Sequence, residues 1–229
     1  MIKVLVVDDQ VLIRAGLASM IRAAPGFDLA GEASSGEEAV QFANRSAEAG
    51  APLDVILMDI RMPGLSGIGA TEQILSGAAA NPPKILILTT FDLDEYVYAA
   101  LRAGASGFLL KDTSPERLFG AITAIAGGDM LFAPTVIRRL IEAHVTTQEL
   151  PGADAPGLAS LTARELEVLR QVARGLSNAH IASELFLSEA TVKTHLNRLM
   201  SKLALSSRAQ AVVIAYETGL VIPSRTPSG

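Results

Sequence analysis

In the first half of the chain, polar residues stand where short apolar runs end. Asp8 and Asp9 follow VLVV, Asp59 follows VILM, Thr89 follows ILIL with Thr90 next, and Lys111 follows FLL. Any one of these residues has an ordinary explanation, because Asp at such a place caps helices or forms turns and a lone Lys is solvated. Together they describe a chemistry. Like charges about 4 Å apart repel by about 4 kcal/mol at a protein-surface dielectric, so three converging carboxylates call for a divalent cation. Oxygen donors without His or Cys favour Mg²⁺, which keeps several waters and joins one or two carboxylates to a phosphate. Lys111 can then pair with a phosphoryl oxygen and the Thr89 hydroxyl can donate to another. Asp59 is left as the nucleophile, forming an aspartyl phosphate.

These residues converge only if the apolar runs lie side by side. The runs Ile2 to Val7, Asp28 to Ala33, Asp54 to Met58, Lys84 to Thr89 and Ser106 to Leu110 read as five buried strands. Helical patterns lie between and after them, over about 11 to 23, 36 to 49, 67 to 77, 94 to 103 and 115 to 127. Such alternation predicts an α/β, doubly wound, five-stranded parallel sheet. In an open parallel sheet, ligands bind at the carboxyl ends of the strands, where these polar residues fall.

The motifs VLVVDDQ, LMDIRMPGLSG, LTTFD and GASGFLLKD resemble the response-regulator receiver family, over about residues 1 to 127. That resemblance implies a flavodoxin-like fold with Asp59 as phosphoacceptor. It implies Mg²⁺ held by Asp9, Asp59 and the backbone carbonyl of Arg61, with Asp8 helping through water, and phosphoryl contacts from Lys111 and Thr89. The family places its switch hydroxyl 22 residues before the lysine, which selects Thr89 over Thr90. Phe108 matches the aromatic position whose rotamer follows that hydroxyl, although a buried strand Phe needs no switch to explain it. Two departures are Ser66, where many members have an acidic residue, and Asp112, where others have proline. Neither belongs to the phosphorylation set.

Beyond Leu161 the pattern is helical only, over about 162 to 174, 178 to 185, 188 to 203 and 207 to 219. On the third of these, Val192, Leu196, Leu199 and Leu203 form one narrow stripe at about 100° per residue. Lys193, Thr194, Asn197 and Ser201 lie roughly opposite, with Arg198 at the edge. An isolated polar stripe is usually a solvated face. Here a short turn through Phe186, Leu187 and Ser188 joins two helices, and helix, turn, helix is a DNA-reading arrangement. Lys can reach guanine acceptors, Asn can pair with adenine and a Thr methyl can touch thymine.

The run LTARELEVLRQVARGLSNAHIASELFLSEATVKTHLNRLMSKL resembles the LuxR-type helix-turn-helix of the NarL/FixJ response regulators, over about residues 158 to 222. The resemblance implies Asn178 to Asn197 as the motif proper. It directs Lys193, Thr194, Asn197 and Arg198 toward bases, and Lys202 and Arg208 toward phosphates. His180 stands where an acidic residue is common and receives no role. The last helix, with Ala209, Val212, Val213 and Tyr216 at helical spacing, matches one that pairs two DNA-bound subunits; packing against helix 162 to 174 explains part of the same stripe.

The expected organisation is a receiver domain over 1 to 127, a linker over 128 to 157 with a short helix at about 134 to 144, an all-α four-helix domain over 158 to 222, and a tail over 223 to 229. Charge follows that division. Residues 1 to 127 hold nine Lys/Arg against fifteen Asp/Glu, 128 to 159 hold two against four, and 160 to 229 hold eight against five. An acidic first part suits cations and a basic last part suits phosphate backbones. The absence of cysteine excludes disulfides, thiolate metal sites and cysteine nucleophiles, and fits a reducing, cytoplasmic setting. No signal peptide or membrane-length apolar run is expected.

The resulting expectation is a DNA-binding regulator of a two-component phosphorelay. Its partners would be a sensor histidine kinase, promoter DNA, a second copy on activation, and RNA polymerase. It would catalyse only transfer of phosphate onto its own Asp59. Rival readings are weaker. A flavin phosphate would be repelled by Asp8 and Asp9, where a Gly/Ser/Thr-rich loop would be wanted. A Mg²⁺-dependent phosphatase would leave the helical end unexplained. A receiver-like regulator acting without phosphorylation conflicts with the complete acidic, hydroxyl and Lys set.

Overall fold

The computed structural model describes residues 1–77, 82–89, 94–128 and 158–221, apart from the side chains of 94 and 95. The expected helix at 134–144, most of the linker, Thr90 and the tail lie outside these residues. The chain divides into two compact units, within Met1–Leu131 and within Phe132–Gly229.

In the first unit, β1 (Ile2–Val7), β2 (Phe27–Ala33), β3 (Val55–Asp59), β4 (Lys84–Thr89) and β5 (Gly107–Leu110) alternate with α1 (Val11–Ala23), α2 (Gly36–Glu48), α3 (Gly67–Ser76), α4 (Asp94–Ala103) and α5 (Pro115–Ala126). All strand pairs are parallel, in the order β2-β1-β3-β4-β5. The β1 and β3 runs are apolar because the sheet is covered on both faces. Val4, Val6, Val55, Leu57, Leu86, Leu88 and Leu109 form one core with Leu17 and Ile21 of α1 and Leu118, Ile122 and Ile125 of α5. Leu5, Val7, Ile56, Met58, Ile85 and Ile87 have the opposite parity and are equally buried, which gives the sheet its second covered face.

Three helix starts in this unit are set by serines. The hydroxyls of Ser35, Ser66 and Ser114 accept from the amides of Glu38, Gly69 and Arg117, satisfying donors that the first helical turn leaves open. Ser66 is thus the cap of α3.

Among the described residues, the second unit contains a 3-10 turn at Leu158–Ser160 and four helices, α6 (Ala163–Ala173), α7 (Asn178–Leu185), α8 (Glu189–Lys202) and α9 (Arg208–Glu217). Its core joins Val168, Leu169 and Val172 with Ile181, Val192, Leu196, Leu199, Val212 and Tyr216. Thr162 and Glu165 form a reciprocal capping box at the start of α6, and Ser207 and Gln210 form another at α9. Helix α7 stops at Phe186, which takes a left-handed conformation (φ 54°) and is 95% exposed.

Backbone closeness matters most behind Asp59. A Cβ on Gly67 would lie 1.8 Å from the Asp59 carbonyl oxygen, so only glycine lets α3 begin this close to the end of β3. Gly67→Ala should therefore destabilise the first unit by about 1–3 kcal/mol or more through overpacking against backbone. Gly16→Ala, inside α1 with nothing within 4 Å of the added Cβ, should stabilise it by about 0.5–1 kcal/mol. Urea unfolding of both variants beside the parent chain checks the pair; equal midpoints would remove the packing constraint claimed for Gly67.

Candidate functional site

The strand register brings Asp8, Asp59, Thr89 and Lys111 to one edge of the sheet. Asp8 and Asp59 are 1% and 5% exposed, and Thr89 is also buried. The amide of Lys111 donates to the Thr89 carbonyl at 2.8 Å, which carries the β4–β5 pairing one residue past the end of β5. The Lys111 side chain turns into the acidic cluster. Its Nζ lies 2.7 Å from Asp8 Oδ2 and 3.0 Å from Asp59 Oδ2. One buried ammonium thus bridges two buried carboxylates.

The remaining oxygens divide into held and unheld. Asp8 Oδ1 accepts from the Gln10 amide and Asp59 Oδ1 from the Ile60 amide, both at 2.9 Å. Arg14 Nη1 donates to the Asp8 carbonyl at 2.6 Å, fixing the backbone beneath the pair. Asp8 Oδ2 meets Lys111 as an ion pair without a hydrogen bond of good geometry, and Asp9 Oδ1 is buried with no hydrogen-bond partner among the described residues. Burying such an oxygen unpaired is costly. One oxygen each from Asp8, Asp9 and Asp59 lie within 4.8 Å of one another, an all-oxygen donor set that fits a hard divalent cation.

Burial raises the Asp59 carboxyl above the ordinary aspartate value of 3.8; the hydrogen bond and charge of Lys111 oppose that shift, and the nearby Asp8 adds to it. The loop beyond Asp59 is fastened from α2. Glu37 Oε1 accepts the Leu65 amide at 2.8 Å, and the Gly67 amide donates to the Ile60 carbonyl at 2.9 Å. Arg61 sits in that loop, two residues past Asp59. Phe108 is half-buried in β5. Ser66 and Asp112 lie outside the carboxylate cluster.

In the second unit, Val192, Leu196 and Leu199 of α8 are buried while Lys193, Thr194, Asn197, Arg198 and Ser201 are exposed. The Ser188 hydroxyl caps α8 by accepting from the Thr191 amide at 3.1 Å. The polar face is therefore presented outward by a helix whose other side is core. Ala209, Val212, Val213 and Tyr216 are all buried within the unit, and the Tyr216 hydroxyl donates to the Ala173 carbonyl at 3.4 Å. That stripe packs inward.

Two cations expected at DNA phosphates have partners within the protein. Arg208, expected at DNA phosphates, is 7% exposed; its Nη1 donates to Asn178 Oδ1 at 2.6 Å and its Nη2 to the Leu176 carbonyl. Lys202 Nζ lies 2.7 Å from Glu165 Oε2. Both have protein partners. Sequence reasoning does not single out Glu165 or Arg164. The motif T-x-x-E marks Thr162 and Glu165 as a capping box, but nothing local points to Lys202, 37 residues away. The Lys202 hydrogen bond, then the Thr162 amide, lower the Glu165 carboxyl to about 2.

A family model described as response regulator receiver domain matches residues 4–123, and one described as bacterial regulatory proteins, luxR family, matches residues 159–215. The chain is similar to the transcriptional regulatory protein YxjL of Bacillus subtilis, 44% identical over 96% of this chain and 97% of that one. It is similar to the nitrate/nitrite response regulator protein NarP of Escherichia coli, 40% identical over 93% of each. Among solved structures it is similar to a LuxR-family two-component response regulator from Aurantimonas, with TM-score 0.53 and 31% identity over 62% of this chain and 97% of that one.

The raised Asp59 titration has a sign that can be measured. A carboxyl raised in the folded state lends stability while protonated and loses it as pH rises from 3.8 through the raised value. In metal-free buffer, the melting temperature of Asp59→Asn relative to the parent should therefore increase as pH rises through that window. A gap that stays flat or narrows would mean that Lys111 outweighs burial at Asp59.

Proposed function

This chain belongs to the two-component response regulators that join a receiver domain to a LuxR-type DNA-binding domain, and from that premise we propose that phosphorylation of Asp59 controls its DNA binding. The observation that carries this reading is the Lys111 ammonium bridging Asp8 and Asp59 beside the unpartnered Asp9 Oδ1. Two further carboxylates and a cation lie around the proposed nucleophile.

Asp8, Asp9, Asp59 and the Arg61 carbonyl would hold Mg²⁺. The bound ion supplies neutralisation of charge shared by Asp59 and an incoming phosphoryl group. An Asp59 carboxylate oxygen attacks phosphorus in line, its P–O bond forming as the P–N bond to a kinase histidine breaks; the imidazole leaves with the electron pair and takes up a proton. Lys111 moves its charge from the carboxylates to a phosphoryl oxygen, and Thr89 donates its hydroxyl to another. Phe108, half-buried on the neighbouring strand, follows Thr89. Turnover on an external substrate is not part of this chemistry.

The donor is a protein, a sensor histidine kinase. Val11 and Leu12, one residue beyond the acidic pair, are 65% and 88% exposed, an apolar pair near the carboxylate cluster that suits a docked protein. On the output side Lys193, Thr194, Asn197 and Arg198 face bases from α8. Phosphorylation favours a dimer, because two such modules read half-sites about one helical turn apart. RNA polymerase is a further partner at the promoter.

Incubation with acetyl phosphate and Mg²⁺ should add one phosphoryl mass to the parent chain and none to Asp59→Asn. Equal uptake by both would refute Asp59 as acceptor, and no uptake by either would favour a regulator that works unphosphorylated. Leu12→Asp should slow transfer from the kinase while leaving uptake from acetyl phosphate unchanged; equal slowing with both donors would show damage to the site instead. Lys193→Ala should weaken binding to a selected DNA site by about 1–3 kcal/mol without altering phosphate uptake, and unchanged affinity at physiological salt would count against α8 as the reader.

A further inference from the structure

We propose that Arg208, Lys202 and Arg164 are positioning residues of the DNA reader, holding α7 at both ends and α8 at its last turn, and that Arg208 and Lys202 spend no charge on DNA phosphates. The inference rests on the reading of α8 as the DNA-facing helix and deepens it.

Arg208 begins α9 and reaches the start of α7. Its guanidinium takes the Asn178 side-chain oxygen, on the first residue of α7, and the carbonyl of Leu176, just before the Ser177 cap. A guanidinium 7% exposed is stable only when its donors are matched in place, so its fork fixes both acceptors. At the other end of α7, Arg164 Nη2 donates to the Leu185 carbonyl at 2.6 Å. That carbonyl belongs to the negative end of the helix dipole, where a cation is favoured. Arg164 Nη1 also meets Glu167 Oε2 at 2.6 Å, which aims the guanidinium.

With α7 held at Leu176 and Leu185, the turn that follows has a fixed origin. Phe186 takes its left-handed conformation, the Leu187 amide returns to the Ala182 carbonyl at 2.9 Å, and Ser188 caps α8. The far end of α8 is tied separately. Lys202, its last residue, is bound to Glu165, whose side chain is 4% exposed and also caps α6 through the Thr162 amide at 2.8 Å. The carboxylate is thereby shared between the α6 start and the α8 end. The Lys202 side chain is 37% exposed and flexible, so the pair biases the roll of α8 through the buried, capped Glu165; a roll would turn Lys193 and Asn197 from the direction proposed to face bases.

The two roles for a cation separate by salt dependence. Each phosphate contact steepens the slope of log affinity against log salt by about 0.9, whereas a positioning residue changes affinity without changing slope. The full chain and a duplex recovered by it from a random pool serve for the measurement, with a scrambled duplex as the reference. Arg208→Gln and Asn178→Ala should each lose about tenfold to a hundredfold in affinity, with parent slope and a reduced ratio of selected to scrambled binding. The double variant should lose no more than Arg208→Gln alone, since Asn178→Ala leaves the Leu176 contact in place. Arg208→Lys keeps the charge but not the fork, and should not rescue.

Glu165→Gln gives a test of opposite sign. If Lys202 contacted phosphate, removing its acidic partner would tighten binding; as a positioning pair, its loss weakens binding at parent slope. Tighter binding by Glu165→Gln, a slope shallower by about 0.9 in Arg208→Gln, or additive losses at Arg208 and Asn178 would each overturn the inference. Should Arg208→Gln lower helical circular dichroism, Asn178→Ala and Glu165→Gln carry the test alone. Lys193→Ala runs alongside: if it binds as the parent does, the reading of α8 fails, which is a different result from any of these.

Discussion

The structure turns on the placement of negative charge inside a sheet edge. Asp8 and Asp59 are withdrawn from water almost completely, Asp9 contributes a third carboxylate, and Lys111 is the cation that reaches the first two. An ion pair buried this way does not stabilise a fold by itself, since desolvation takes back most of the attraction. It persists because the rest of the unit is built around it. Covered parallel strands fix the lateral spacing, the Lys111 amide on Thr89 aims the lysine inward, and Gly67 lets α3 close directly behind Asp59. Burial that raises the Asp59 carboxyl and leaves an Asp9 oxygen without a hydrogen-bond partner among the described residues keeps the edge short of positive charge. A cation and a phosphoryl group would complete that balance together.

The second unit handles charge in the opposite way. Its basic residues include Lys193 and Arg198, which stand in solvent on α8, and three that are engaged by the protein: buried Arg208, and the partly exposed Arg164 and Lys202, bound to carbonyls, an amide oxygen and a carboxylate. Counting Lys and Arg by sequence merges the two. The positive balance of the last seventy residues therefore overstates what the domain presents to DNA, and part of that charge goes into holding helices at fixed angles.

What is legible in the sequence follows from what is periodic and what is local. The five strands and nine described helices can be read from apolar runs and helical spacing, with ends shifting by one or two residues; that the hydroxyls of Ser35, Ser66 and Ser114 cap three of the helices emerges only with the structure. Asp8, Asp9, Asp59, Thr89 and Lys111 stand out because parallel topology gathers strand ends, so their convergence needs no coordinates. Arg208 and Lys202 are not legible in the same sense. A basic residue at a helix end reads alike whether it faces solvent or folds back, and only the three-dimensional partners Asn178, Leu176 and Glu165 decide. The stripe of Ala209, Val212, Val213 and Tyr216 carries two readings for a related reason: a helix face records that something covers it, and the structure shows that this unit's own core does.

The proposed function passes through one coupling, from the state of Asp59 to the affinity of α8 for DNA. The direct measurement is DNA affinity of the full chain before and after treatment with acetyl phosphate and Mg²⁺, on a duplex carrying two half-sites, for the parent and for Asp59→Asn. Tighter binding by the treated parent, with the Asp59→Asn chain unmoved, is the expected result. Equal tightening of both, or no change in a parent chain shown by mass to be phosphorylated, would contradict it.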